Sequence, residues 1–212
     1  MNQKVMSIFT RTPMHVGAGA SVGAVDLPII RERHTGYPVI PGSAIKGVLR
    51  DYVRYEDSLK SEEEKLFGHE PVDKNDSAYA GILGFGEAKL LAFPLRSAKG
   101  SFALATCPLA LSRFARDTGL DYPVPAVKDQ ECLAANGITL TDKVALEEYV
   151  FHVKGDFPQN WANHLSGLLD DPVLNEAKTH FVLLSDGDFS HFAQNACPVQ
   201  YHNRISENGT VV

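Results

Sequence analysis

Asp26 sits between two apolar residues, Val25 and Leu27, at the end of a run rich in glycine: His15-Val16-Gly17-Ala18-Gly19-Ala20-Ser21-Val22-Gly23-Ala24. Glycines let a backbone approach a ligand closely, so a carboxylate placed there suits proton transfer or coordination of a divalent cation. The plainer reading is a turn-forming aspartate that bonds its own backbone. His15 opens the same run and fits general acid or base work, or simple packing against the loop. A second feature follows Pro41-Gly42-Ser43, where Lys46, Arg50 and Arg54 recur every fourth residue and line one side of a helix. With the unbonded N–H groups of Gly42 and Ser43 at the helix start, that stripe is a seat for an anion. Asp51 and Glu56 lie close enough in sequence to make it an ordinary solvated face instead.

Two familiar phosphate-binding patterns fit this sequence poorly. A dinucleotide loop must open directly into a helix, whereas Gly17, Gly19 and Gly23 lead into Asp26-Leu27-Pro28. The segment Gly42-Ser43-Ala44-Ile45-Lys46-Gly47 lacks the Gly-Lys-Ser/Thr ending of a P-loop. The remaining histidines, His34, His69, His152, His164, His180, His191 and His202, show no zinc-ligand spacing, and Asp186 and Asp188 read as helix-capping groups. Cys107, Cys132 and Cys197 are odd in number and widely spaced, which predicts reduced thiols in a cytoplasm.

The elements that must position these groups are legible in outline. At 212 residues with 44% hydrophobic and 22% charged residues, the chain can bury a core, and no linker divides it. It predicts one domain over 1–212 with an insertion near 121–145. No window approaches the roughly 18 apolar residues of a membrane span, so no membrane partner is expected. Val5–Arg11 alternates as a half-buried strand does, and His34–Gly36 is a turn. Ser43 is the expected N-cap of a helix with Ile45, Val48, Leu49, Tyr52 and Val53 at core spacing. Further expected helices cover 61–67, 108–118, 161–169 and 173–178, with another beginning at Ser185. Expected strands cover 82–96, 102–106, 144–153, 180–184 and 198–205, and 73–77 reads as a polar loop. Strands and helices interleave without a strict βαβ period, which gives an α+β class.

Charge sharpens the picture. The net charge of −6 alone argues against a nucleic-acid binder. Residues 1–54, however, carry seven Lys or Arg against three Asp or Glu, while the rest of the chain is strongly acidic. That asymmetry fits an anionic ligand near the N-terminal quarter, or an acidic face that meets a basic neighbour.

Taken together, His15-Val16-Gly17-Ala18-Gly19, Val25-Asp26-Leu27-Pro28-Ile29, Arg31-Glu32-Arg33-His34-Thr35-Gly36 and Pro38-Val39-Ile40-Pro41-Gly42-Ser43-Ala44-Ile45-Lys46-Gly47 closely resemble one family. It is the backbone subunit of type III-B (Cmr) CRISPR effector complexes, within the RAMP superfamily. The likeness continues through Phe93–Gly100, Thr106–Leu109, Leu146–Tyr149 and Leu184–Phe189. It implies a ferredoxin-like, RRM-related palm with a thumb-like insertion, stacked in several copies along a guide RNA beside other Cmr subunits.

By the same resemblance Asp26 corresponds to the nuclease carboxylate that cuts bound single-stranded target RNA with a divalent metal, expected to be Mg²⁺. His15 is a second catalytic candidate. The Gly42-Ser43 to Lys46 helix start would face the guide backbone, with Arg50, Arg31 and Arg33 completing the expected RNA-binding set. Family members continue past the equivalent of Gly209–Val211 into a hairpin and closing palm strands, which are absent from this sequence. A guide-binding scaffold without nuclease activity is therefore the alternative expectation, and a small-molecule enzyme using the glycine loop is a third.

Overall fold

The computed structural model describes residues 3–19, 28–69, 71 and 77–197. They pack as two compact units, residues 15–90 and residues 91–212 with 1–14. The first unit contains β1 (Val39–Ile40), α1 (Gly42–Tyr55), α2 (Glu63–Phe67), β2 (Gly68–His69), β3 (Tyr79–Ala80) and β4 (Ala88–Lys89). An antiparallel ribbon organises it. Gly17 lies opposite Ile29, Arg31 opposite Pro38, and β1 opposite β4. A turn joins the second and third strands of the ribbon, tied by the Gly36 N–H to the Glu32 carbonyl at 2.9 Å and by the Thr35 hydroxyl to the buried Glu32 carboxylate at 2.6 Å.

The helix α1 begins where Pro41 ends the extended chain, since proline fixes φ and its missing N–H costs a helix start nothing. Ile45 and Val53 are buried and Leu49 half-buried, so the inward stripe runs at i, i+4 and i+8. Val48 and Tyr52, expected in the core, are 71% and 62% exposed. Ser43 likewise differs from expectation: Pro41 holds the N-cap position and Ser43 is the second helical residue, with an exposed side chain. A proline that already sets the entry geometry leaves no capping position for the serine two residues on.

The second unit holds β5 (Phe93–Ser97), β6 (Ser101–Thr106), α3 (Pro108–Thr118), β7 (Glu131–Ala134), β8 (Lys143–Leu146), β9 (Tyr149–Asp156), α4 (Gln159–Ser166), α5 (Pro172–Glu176), β10 (Phe181–Leu184) and α6 (Asp186–Asn195). The strands close into a ring in the order β10-β6-β5-β8-β9-β7. β10 runs parallel to β6 and antiparallel to β7. All four residues of β10 are buried, as a strand covered on both faces requires. Trp161, Leu111, Leu165, Phe181 and Leu183 form the main apolar cluster, and the Trp161 indole N–H donates to the Pro123 carbonyl at 2.9 Å. Side chains of this size each contribute about 1.5–3 kcal/mol on burial. The seam between β5 and β8 is short. Only Ser97 and Leu146 pair directly, and Glu147, at φ +50, reaches back with its carboxylate to the Arg96 N–H and guanidinium.

Helix ends in this unit follow local chemistry. The Cys107 thiol accepts from the Ala110 N–H, Pro108 occupies the first turn of α3, and Gly119 at φ +74 ends it in the left-handed region that glycine enters without strain. Asp171 caps α5 through the Val173 and Leu174 N–H groups, and the Arg11 guanidinium beside it holds its carboxyl below the usual carboxylate range. Burial pushes the Cys132 thiol up to about 12.

The mixed α and β composition agrees with the expected class. Several local expectations do not hold. Val5–Arg11 is not a strand, because no described segment pairs with it, although Phe9 packs against the core cluster. The stretch 82–93 is mostly irregular, with strand only at β4 and the start of β5. The segment near 121–145, expected as an insertion, supplies β7 and most of β8 to the ring, since Cys132 and Ala134 alternate inward beside β10. The strand expected at 198–205 and nearly all of the loop at 73–77 lie outside the described residues.

Candidate nucleic-acid interface

The ribbon of the first unit is also the stem of the glycine-rich loop. The Ala18 N–H donates to the Pro28 carbonyl at 2.8 Å and the Ile30 N–H to the Val16 carbonyl at 2.9 Å. Loop residues 20–27, and Asp26 with them, lie outside the described residues. The stem brings the two ends of that loop together, with Gly17 opposite Ile29. His15 is exposed. Arg31 is half-buried, and its guanidinium donates to the Gly36 carbonyl at 2.8 Å, which ties it to the following turn. Arg33 projects from that turn and is exposed, with no ion pair among the described residues.

At the start of α1 the first backbone bonds run from the Ala44 and Ile45 N–H groups to the Pro41 carbonyl, so Gly42 and Ser43 present theirs outward from the ladder. Gly42 is required by a close approach: a Cβ there would stand 2.2 Å from the Phe85 carbonyl oxygen. One turn on, Lys46 is half-buried and has no acidic partner among the described residues. The remainder of the stripe is engaged. Arg50 Nε donates to Glu63 at 2.7 Å and Arg54 Nη2 at 2.9 Å, bracing α1 against α2. The two guanidinium hydrogen bonds, Arg54's first, lower the Glu63 carboxyl, and Glu63 in turn raises Arg54. Of the stripe, Lys46 alone is without an acidic partner among the described residues.

Sequence reasoning missed Glu63 as the anchor of the stripe. It lies within the expected acidic helix, but no spacing rule links positions 13 and 9 residues apart on two helices. It also missed Glu64, which accepts from His69 and from the Tyr79 hydroxyl across the β2–β3 pair and is lowered chiefly by the His69 bond. Among the described residues no three His, Cys, Asp or Glu side chains gather into a site for a metal ion. No helix among them is long and apolar enough to cross a membrane.

The RAMP superfamily model matches residues 8–212. Across its whole length the chain is 34% identical to the CRISPR system Cmr endoribonuclease Cmr4 of Pyrococcus furiosus, of which it covers 74%. Over 42 residues, 18% of the chain, it is 43% identical to the CRISPR system Cms endoribonuclease Csm3 of Enterococcus italicus, covering 20% of that protein. The crystal structure of oligomeric Cmr4 from Pyrococcus furiosus superposes with a TM-score of 0.75 at 31% identity, over 90% of this chain and 72% of that one. A chain of the type III-B Cmr-beta complex bound to cognate target RNA shares the fold, with a TM-score of 0.66 at 18% identity over 95% and 73% of the two chains.

Proposed function

The chain belongs to the RAMP superfamily, and from that membership we propose that it is a guide-RNA-binding backbone subunit of a type III-B effector complex that cleaves complementary target RNA at regular intervals. The observation that carries this reading is the match, without interruption by a foreign domain, to a Cmr endoribonuclease over the entire chain. On this reading residues 1–212 are one RAMP domain with a ferredoxin-like palm.

Guide binding falls to the start of α1. Ser43, Lys46 and the Gly42 N–H meet a phosphate, and Arg33 on the neighbouring turn adds a second cation. Arg50 joins only by exchanging Glu63 for phosphate. Sequence selection is left to guide pairing, with the protein reading backbone and A-form shape. Cleavage uses the nucleophile that RNA itself carries. The target 2′-hydroxyl attacks the adjacent phosphorus, the bond to the 5′-oxygen breaks, and the products are a 2′,3′-cyclic phosphate and a 5′-hydroxyl. Asp26 takes the 2′-hydroxyl proton, and His15, which opens the glycine-rich run, returns one to the leaving oxygen. Asp26 would also be the residue to hold a divalent cation, which would supply charge stabilisation at the phosphate.

The test is cleavage of a guide-complementary RNA by complexes reconstituted with the wild-type chain or Asp26→Ala, each with Mg²⁺ and with EDTA. Regularly spaced products that vanish in Asp26→Ala, with target binding retained, are expected. Target bound but intact with the wild-type chain would make it a scaffold.

A further inference from the structure

Within the second unit, β9 and the first two turns of α6 enclose a cleft of about 530 Å³ that the proposed RNA chemistry does not use. Its walls are unusually aromatic. Tyr149 meets His191 edge to face at 5.2 Å and Phe192 at 5.6 Å, and Phe151 packs on Phe192 behind them. Tyr149 remains 42% exposed despite these contacts. Two polar groups share the cleft, Gln130 and Asp188. Gln130 stands at φ +64, held there by its N–H to the Asp188 carboxylate at 2.9 Å and by its carbonyl accepting from the His152 N–H at 3.0 Å. A non-glycine residue kept in that conformation by two bonds costs stability that the fold elsewhere offsets, a pattern that concentrates at binding sites.

We propose that this cleft receives an arginine side chain from a neighbouring protein. A guanidinium is planar, stacks on aromatic faces, and donates in a fork that suits a carboxylate, so Tyr149, His191 and Asp188 each meet one of its properties. Charge favours this occupant over a nucleotide. Asp186 and Asp188 lie in the first turn of α6, the Asp129 carboxylate lies against Gly187, and Glu148 precedes Tyr149 on the chain. Lys128 is the basic residue nearest to them in sequence. A phosphate carried in with a base would meet those carboxylates, whereas an arginine is drawn by them. Lysine fits less well, because a hydrated ammonium neither stacks nor forks.

The experiment is an NMR titration of the full chain with acetyl-Gly-Arg-Gly-amide, following the ring resonances of Tyr149 and His191, beside the lysine tripeptide and guanosine monophosphate. Saturable shifts with the arginine peptide, smaller ones with lysine and none with the nucleotide are expected. Tyr149→Leu and Asp188→Asn should each weaken the arginine peptide about five- to tenfold. The second variant keeps an acceptor for the Ser185 hydroxyl and the Gln130 N–H, and thermal melting checks that both variants fold. No saturable shift, equal shifts from lysine, a stronger response to the nucleotide, or unaltered affinity in both folded variants would each overturn the assignment. Because the titration reads neither RNA binding nor cleavage, its failure leaves the nuclease reading standing, and failure of the nuclease leaves this site standing.

Discussion

The two units divide the labour of the molecule unequally. Among the described residues of 91–212, six strands and four α-helices surround a core in which Trp161, Phe181, Leu183 and Phe189 are almost fully buried. In residues 15–90 the strands are two residues long, the buried apolar set is small, and the backbone is shaped by turns, a proline and close glycine contacts. Every residue assigned to RNA or to cleavage falls within residues 15–90, the thinly packed first unit. Stability and chemistry thus rest on different residues, and substitutions can separate them.

The widest separation is expected between Trp161→Ala and any change at α1. Emptying the Trp161 site should cost about 3–5 kcal/mol, read as a lowered midpoint in denaturant. An equal loss from Lys46→Ala would abolish the contrast. Gly42→Ala comes next, since its methyl group must displace the Phe85 carbonyl. About 1–3 kcal/mol of strain is expected, with guide binding impaired in the same variant because the helix start moves. An unchanged melting curve would show that the loop at 85–86 yields freely.

A smaller effect should resolve the stripe itself. Lys46→Ala should make the salt dependence of guide binding shallower by about 0.7 in the logarithmic slope, and Arg50→Ala should change it less, because Glu63 already holds Arg50. Glu63→Gln should steepen it by releasing two guanidinium groups. Equal slopes in all three would remove α1 from the interface. The smallest effect lies in the second unit. Arg11 depresses the Asp171 carboxyl, so the pair stabilises the fold above the ordinary aspartate pKa near 3.8, and that contribution disappears as pH falls through the lower folded value. Arg11→Ala should therefore flatten the acid limb of the stability curve below about pH 4 and leave guide binding untouched.

These contrasts also show which signals a sequence carries. Helix α3 was readable because Pro108 and Gly119 punctuate it within a single local window, and α6 because Ser185 and Asp188 form a capping pair three residues apart. Val5–Arg11 alternates correctly, but alternation describes a face and not a neighbour, and its pairing depends on chain far away. The same limit hid the ring position of β7, whose paired residues in β9 and β10 lie 21 or more positions downstream. At the candidate site the types and spacing of Ser43 and Lys46 were legible. The Glu63 contact was not, because it joins two helices through their tertiary packing. Val48 and Tyr52 matched an apolar period whose inward sector is narrower than the period suggests.

One feature of the ring bears on how it moves. Between β5 and β8 a single residue pair and one half-buried carboxylate do what five pairs do between β5 and β6, and the buried Ser97 hydroxyl beside it has no partner among the described residues. The first opening of the closed sheet belongs there. Amides of Ala98 and Glu147 should exchange with solvent well before those of β10, and higher ionic strength should hasten them by loosening the Arg96–Glu147 contact. The ring is a sheet with a latch, able to part on one side while its buried strands stay zipped.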